Sequence, residues 1–319
     1  MIDCRSNVMF EEAAKGKCRF NPFLVMLFFI LVFDVGQALS AVVTAPFMVV
    51  WMDTEILPKL REIDVTALSF EELMKLAASM PPYVFIANLF STVFTTIAAL
   101  IFATKIEGRS FASVGFRKHK IASNYGLGYL IGAGVLVLTC LVTWAIRACD
   151  MSLGNINALI ILYFLGYIVQ GMSEEVLCRG FLMISLRNSI KSDHGIWISV
   201  FVSALVFALL HSLNPGMTAL SFFNLFLSGL FFSALVLRFD NLWIACAAHA
   251  AWNFFQGNII GVEVSGMEQG VSLFKCTITG SDLITGGSFG FEGGLVMTVI
   301  LSVVTVLLFV VPGRKKAEV

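Results

Sequence analysis

Residues 155–186 read NINALIILYFLGYIVQGMSEEVLCRGFLMISL. The stretch is long and apolar enough to cross a bilayer, for which about 20 mostly apolar residues suffice. Its second half nevertheless carries Glu174, Glu175 and Arg179. Ionisable groups inside a membrane helix are costly and mark function by default. One run therefore speaks both for the fold class and for a candidate site.

The rest of the chain agrees with a membrane setting. Hydrophobic residues make up 58% of the 319 and charged residues 13%, against roughly 45–50% and about 25% in soluble domains. Mean hydropathy is +0.89. This excludes a soluble enzyme, a disordered chain and a basic nucleic-acid-binding domain. Seven further apolar runs lie near 22–51, 82–104, 124–148, 196–213, 217–237, 241–262 and 294–312. The expected fold is all-α: a polytopic membrane bundle of about eight helices. The first run contains Asp34, which is expected to cap or pair within the bundle or to lie near the site. No cleavable signal peptide is expected, because the charged start lacks an early apolar core.

Lys and Arg set the orientation. With eight spans, one side collects fifteen of them, including Arg109, Arg117 and Arg187, and the other side collects five. Both termini are therefore expected in the cytoplasm. The division of the chain follows. Residues 1–123 hold the first spans, an outer amphipathic segment and a basic inner loop. Residues 124–262 form the catalytic core, 263–293 a Gly-rich outer loop, and 294–319 the last span with a basic tail. In the outer segment, Ser69-Phe-Glu-Glu72 fits a capping box and predicts a short surface helix from residue 70 to about 80. The seven cysteines show no paired spacing and read as scattered thiols. A single bridge between Cys149 and Cys276 is the one pairing considered.

Three clusters of polar residues stand out in the spans. In the first, Glu175 and Arg179 are i,i+4 and pair on one helix face. Glu174 is turned about 100° away and is left free to act as a base. The second is Phe207-Ala-Leu-Leu-His211, with Phe207 and His211 on one face. The third is His249-Ala-Ala-Trp-Asn253, with both side chains aimed at one small target. Each has a bland account as well: an ion network, a core or capping histidine, a helix–helix hydrogen bond. Depth decides between the two accounts. At about 1.5 Å per residue, Glu174, His211, His249 and Asn253 stand about 20, 22, 12 and 18 Å from their inner helix ends. Convergence on one level, on the fourth, fifth and seventh helices, is what a buried site requires.

These groups permit one chemistry in particular. A buried carboxylate and a neutral imidazole can hold and deprotonate a water. A second imidazole and an amide can stabilise an oxyanion. The result is an acyl hydrolase with water as nucleophile. Other intramembrane hydrolases fit less well. No His-Glu-x-x-His occurs, nor a Gly-Asp or Tyr-Asp dipeptide. Gly171-Met-Ser173 matches the rhomboid Gly-x-Ser, but Ser173 sits beside carboxylates. Zinc held by Glu174, His211 and His249 is chemically allowed, leaving Asn253 spare.

Glu174-Glu175-x-x-x-Arg179, Phe207-x-x-x-His211 and His249-x-x-x-Asn253, in this order on successive core helices, resemble the three motifs of the CAAX protease and bacteriocin-processing family (CPBP or Abi). The type II CAAX prenyl endopeptidases belong to it. Arg109-Ser-Phe-Ala-Ser-Val-Gly-Phe116 resembles the lead-in to the family's core. The resemblance covers about 105–262. It implies a glutamate-dependent intramembrane endopeptidase. Glu174 is then the general base and His211 orients its water. His249 and Asn253 form the oxyanion site, with Glu175 and Arg179 supporting Glu174. No cofactor is expected, with zinc as the alternative. The implied partners are the lipid bilayer and a membrane-embedded peptide or protein, either CAAX-like or a leader peptide, but no nucleic acid. The compact chain resembles the family's bacterial branch, which implies the plasma membrane. Access is expected laterally or from the cytoplasm, because the site is counted nearer the inner half. The competing functions are a non-catalytic regulatory or bacteriocin-immunity protein of the same family, and a transporter. The transporter lacks support from inverted repeats.

Overall fold

The computed structural model describes residues 7–62, 68, 69, 72, 76 and 80–311. It is predominantly helical, and each of the eight apolar runs forms a helix. A short α1 (Val8–Ala14) precedes α2 (Pro22–Trp51). The second run is split into α3 (Pro82–Ser91) and α4 (Val93–Ile101). Then come α5 (Ile121–Ala145), α6 (Leu159–Glu175), α7 (Gly195–Leu210), α8 (Ala219–Phe239), α9 (Leu242–Phe254) and α10 (Leu295–Val310). Four of them run on as π-helix: α2 through Met52–Ile56, α4 through Phe102–Ile106, α6 through Val176–Met183 and α9 through Phe255–Ile260. Wide turns of this kind are frequent at functional sites.

The chain is an integral membrane protein. Five helices, Pro22–Arg61, Pro82–Ile106, Ile121–Ala145, Leu159–Ser189 and Ala219–Phe239, are long and apolar enough to cross a bilayer. The other three expected spans fall short for physical reasons. Helices α7 and α10 have 16 residues each, or about 24 Å at the helical rise. Helix α9 is diluted by His249 and Asn253, and its π-helical continuation by Gln256 and Asn258. Most of its residues are buried, so protein rather than lipid surrounds it.

Hydrogen bonds collect the segments expected inside at one end of the bundle. Asn7 Nδ2 donates to Leu237 O at 2.8 Å, Asn188 Nδ2 to Ala13 O at 3.1 Å, and Cys18 N to Glu107 O at 3.1 Å. Arg117 meets Asp240 at 2.5 Å. The expected lead-in 109–116 folds here as well. Arg109 pairs with Glu107 at 2.6 Å in a buried contact, and Gly115 O accepts from Leu242 N at 2.8 Å, where α9 begins. The lead-in thus seats the start of the helix that carries His249.

At the other end, two short strands pair antiparallel, β1 (Cys149–Leu153) with β2 (Phe274–Ile278). The all-α reading did not anticipate them. Each alternates apolar and polar residues, CDMSL and FKCTI, but the run is only five residues long and its partner lies far away in sequence. Cys276 stands opposite Met151 and Cys149 opposite Ile278. Both cysteines are buried free thiols, so the Cys149–Cys276 bridge is not formed. The surface helix expected over 70–80 falls largely outside the described residues. Its cap is present: Ser69 N donates to Glu72 Oε2 at 2.8 Å and Glu72 N to Ser69 Oγ at 3.3 Å.

Small residues bring the site helices together. A Cβ on Gly128 or Gly132 of α5 would stand 2.1 Å from Ile244 O or Ala248 O of α9. Without a hydrophobic force between helices in lipid, such close backbone approach is what holds them. Helix α9 is consequently packed between α5, α6 and α8 at the centre of the bundle.

Candidate active site

Helix α6 supplies both carboxylates. The buried Arg179 Nη1 donates to Glu175 Oε1 at 2.9 Å. Its Nη2 donates to Gly229 O of α8 at 2.9 Å, and its Cζ lies 4.7 Å from the Phe207 ring centroid. Glu175 also faces His249, with Nδ1 2.9 Å from Oε1. An ion pair so enclosed needs its remaining hydrogen-bonding groups met, and here Glu175 Oε2 and Arg179 Nε have no hydrogen-bond partner among the described residues. The expected i,i+4 pairing is present: Glu175 is held by Arg179, and Glu174 is not.

Glu174 turns the other way, towards the two histidines. Its Oε2 lies 3.7 Å from His211 Nε2 and 3.7 Å from His249 Nε2. That oxygen is buried and has no hydrogen-bond partner. Its Oε1 accepts from Gln170 Nε2. Gln170 Oε1 in turn accepts from Asn253 Nδ2 at 2.8 Å. Asn253 therefore reaches Glu174 through Gln170, and one of its two N–H groups is committed to that bond.

The tautomers follow from the partners. His211 Nδ1 is 2.8 Å from Phe207 O, a carbonyl that can only accept, so Nδ1 carries the proton. Neutral His211 then presents its Nε2 lone pair to the cavity. The His249 ring is clamped by Glu175 on one side and by Phe232, stacked at 4.7 Å and 11°, on the other. For His249 Nε2 to donate, the ring must hold both protons, with Glu175 as counter-ion.

Gln170, Glu174, His211, His249 and Asn253 line one cavity of about 290 Å³. The first span contributes Phe33 and Gln37, and the sixth contributes Phe232 and Ser228. The far wall is formed by Val264, Ser265, Met267 and Glu292, from the segment expected to be the outer loop. This corrects the inner-half placement. Counting from helix starts assumes a common inner plane, whereas His211 caps the far end of α7. Glu292 pins that wall: it accepts from Trp252 Nε1 at 2.8 Å, and from Ser265 N and Oγ at 2.7 Å each. Ser173 Oγ donates to Thr92 O at 2.8 Å, so its hydroxyl has no histidine partner of the kind a serine nucleophile needs.

Sequence reasoning missed Gln170, Phe232 and Glu292. Gln170 was detectable, as an amide inside an apolar run four residues before Glu174.

No curated protein and no solved structure matches the chain. The segment 156–255 does match a family model, described as "Rce1-like: Type II CAAX prenyl endopeptidase Rce1-like". All six candidate residues and Gln170 lie within it. Over those residues, the chain is similar to the Rce1-like family.

Proposed function

We propose that this protein is an intramembrane endopeptidase that hydrolyses a peptide bond with a water activated by Glu174 and His211. One observation carries the reading: a buried, unpartnered Glu174 Oε2 stands 3.7 Å from the Nε2 atoms of both histidines. That spacing is too long for direct hydrogen bonds and suits a water oxygen about 2.8 Å from each group. The Rce1-like match supports a protease in general terms.

The water donates one hydrogen to Glu174 Oε2 and the other to His211 Nε2. As its oxygen bonds to the carbonyl carbon, Glu174 takes the proton. The carbonyl oxygen becomes the oxyanion, held by the protonated His249 and the second N–H of Asn253. The C–N bond then breaks, and the proton on Glu174 passes to the leaving nitrogen. Glu175 keeps His249 oriented and charged, and Arg179 holds Glu175 in place. Substrates are membrane-embedded proteins, either CAAX-like or leader peptides. Both termini face the cytoplasm, and the enzyme works in the plasma membrane of a bacterium.

A second reading has its own observation. Both Nδ1 atoms are held by acceptors, as in histidines that bind metal through Nε2. Two histidines and a carboxylate are a known zinc set. As the side chains stand, no group of three or more His, Cys, Asp or Glu among the described residues is arranged to hold a metal ion. Zinc would make Glu174 a ligand rather than the base, so cleavage measured with and without a chelator separates the two readings. A regulatory or immunity role, with no cleavage, predicts that Glu174→Gln keeps the cellular phenotype. The proteolytic reading predicts its loss.

A further inference from the structure

Asp34 is the sole charged residue of α2. It stands about 18 Å along the helix from Pro22, near the middle of a hydrocarbon core about 30 Å thick. The sequence led to the expectation that it pairs within the bundle or lies near the site. Instead it is exposed, with no hydrogen-bond or ion-pair partner among the described residues. Intramembrane acids almost always face the bundle interior or a partner. Asp34 faces out of the bundle among apolar neighbours, Ile30, Leu31 and Val35, which are also exposed.

Its position relative to the cavity gives this exposure a meaning. Phe33 and Gln37, one turn apart on α2, both line the cavity that holds Glu174. Gln37 is itself exposed. The cavity wall and the outward face of α2 therefore meet at Gln37, and Asp34 is its i,i+3 neighbour on that edge.

We propose that the Asp34–Gln37 edge of α2 is a lateral docking seam for the transmembrane helix of a substrate, recognised through a lysine or arginine at the depth of Asp34. The occupant is helical because backbone at this depth must satisfy its own hydrogen bonds. It is cationic because the seam offers a carboxylate with no counter-ion, and a charge pair spares both groups their isolation in lipid. The seam is continuous with the cavity, so a bound helix needs only local unwinding to present a peptide bond to Glu174. That last step rests on the proteolytic reading; the docking itself does not.

The test uses the full-length protein in proteoliposomes, carrying Glu174→Gln so that a bound probe is not cut. The probe is a synthetic leucine–alanine transmembrane peptide with one central lysine, compared with the same peptide bearing leucine there. Association is read by energy transfer from a dye on the protein. The lysine peptide is expected to bind about three- to thirty-fold tighter, the range of interhelical polar contacts in membranes. Adding Asp34→Leu should abolish that preference, with the thermal midpoint unchanged. Equal binding of the two peptides overturns the proposal. So does a lysine preference that survives Asp34→Leu, or Asp34-dependent self-association, which would assign the seam to a second copy of the chain. Docking that persists while the wild type shows no Glu174-dependent cleavage overturns the proteolytic reading instead.

Discussion

Glu175 and His249, on different helices, are joined by a 2.9 Å contact between Oε1 and Nδ1. The same oxygen accepts from Arg179 at 2.9 Å. Glu175 is thereby held in place, and the adjacent Glu174 faces the cavity.

Removing one member of a buried ion pair exposes the other to low dielectric. Arg179→Met should therefore destabilise the protein by about 3–5 kcal/mol, seen as a lower thermal midpoint in detergent. The double variant Arg179→Met, Glu175→Gln should recover part of that loss, because no lone charge remains. A single variant as stable as the wild type would contradict the role given to the pair.

Gln170 ties Glu174 to Asn253. Replacing it with leucine removes a hydrogen bond to a charged group. That should lower kcat by roughly 10- to 100-fold and leave KM little changed. Gln170→Glu should be active at low pH and lose activity as pH rises. A protonated carboxyl can still donate to Glu174, whereas two ionised carboxylates repel each other. A flat pH ratio between Gln170→Glu and the wild type would reduce Gln170 to packing.

Glu292 anchors the segment after α9 to Trp252, three residues from His249. Glu292→Ala leaves Ser265 N and Trp252 Nε1 without their acceptor. Limited proteolysis within 263–293 should accelerate about tenfold or more, the equivalent of one lost charge-assisted hydrogen bond. Unchanged protection would show that the wall is held by other contacts.

The orientation can be read from one thiol. Cys18 is exposed beside the inner-end loops, whereas the other described cysteines are buried. A membrane-impermeant maleimide should label Cys18 in inside-out vesicles and not in right-side-out ones. The opposite pattern would invert the topology.

The motif residues were legible because helical spacing alone places Glu175 with Arg179 and His249 with Asn253. Charge inside lipid also flags them without any structure. Gln170 carries a weaker signal, an uncharged amide in an apolar run four residues before Glu174, and its two-sided hydrogen bonding makes it the hub of the cluster. The β1–β2 pairing and the Glu292 anchor depend on contacts between residues distant in sequence, which no local period encodes. Asp34 shows the reverse failure. It was flagged by its charge, and only the fold reveals that it faces outward at the edge of the cavity.

The central claim is that Glu174 is the base for a water-mediated cleavage, and its most direct test is proteolysis in reconstituted membranes. Wild type and Glu174→Gln would be compared on prenylated CAAX peptides and leader-peptide precursors, with and without a chelator. The prediction is cleavage by the wild type that survives chelation and disappears in Glu174→Gln, with His211→Ala and His249→Ala likewise inactive. Cleavage retained by Glu174→Gln, or cleavage lost to the chelator and restored by zinc, would contradict it.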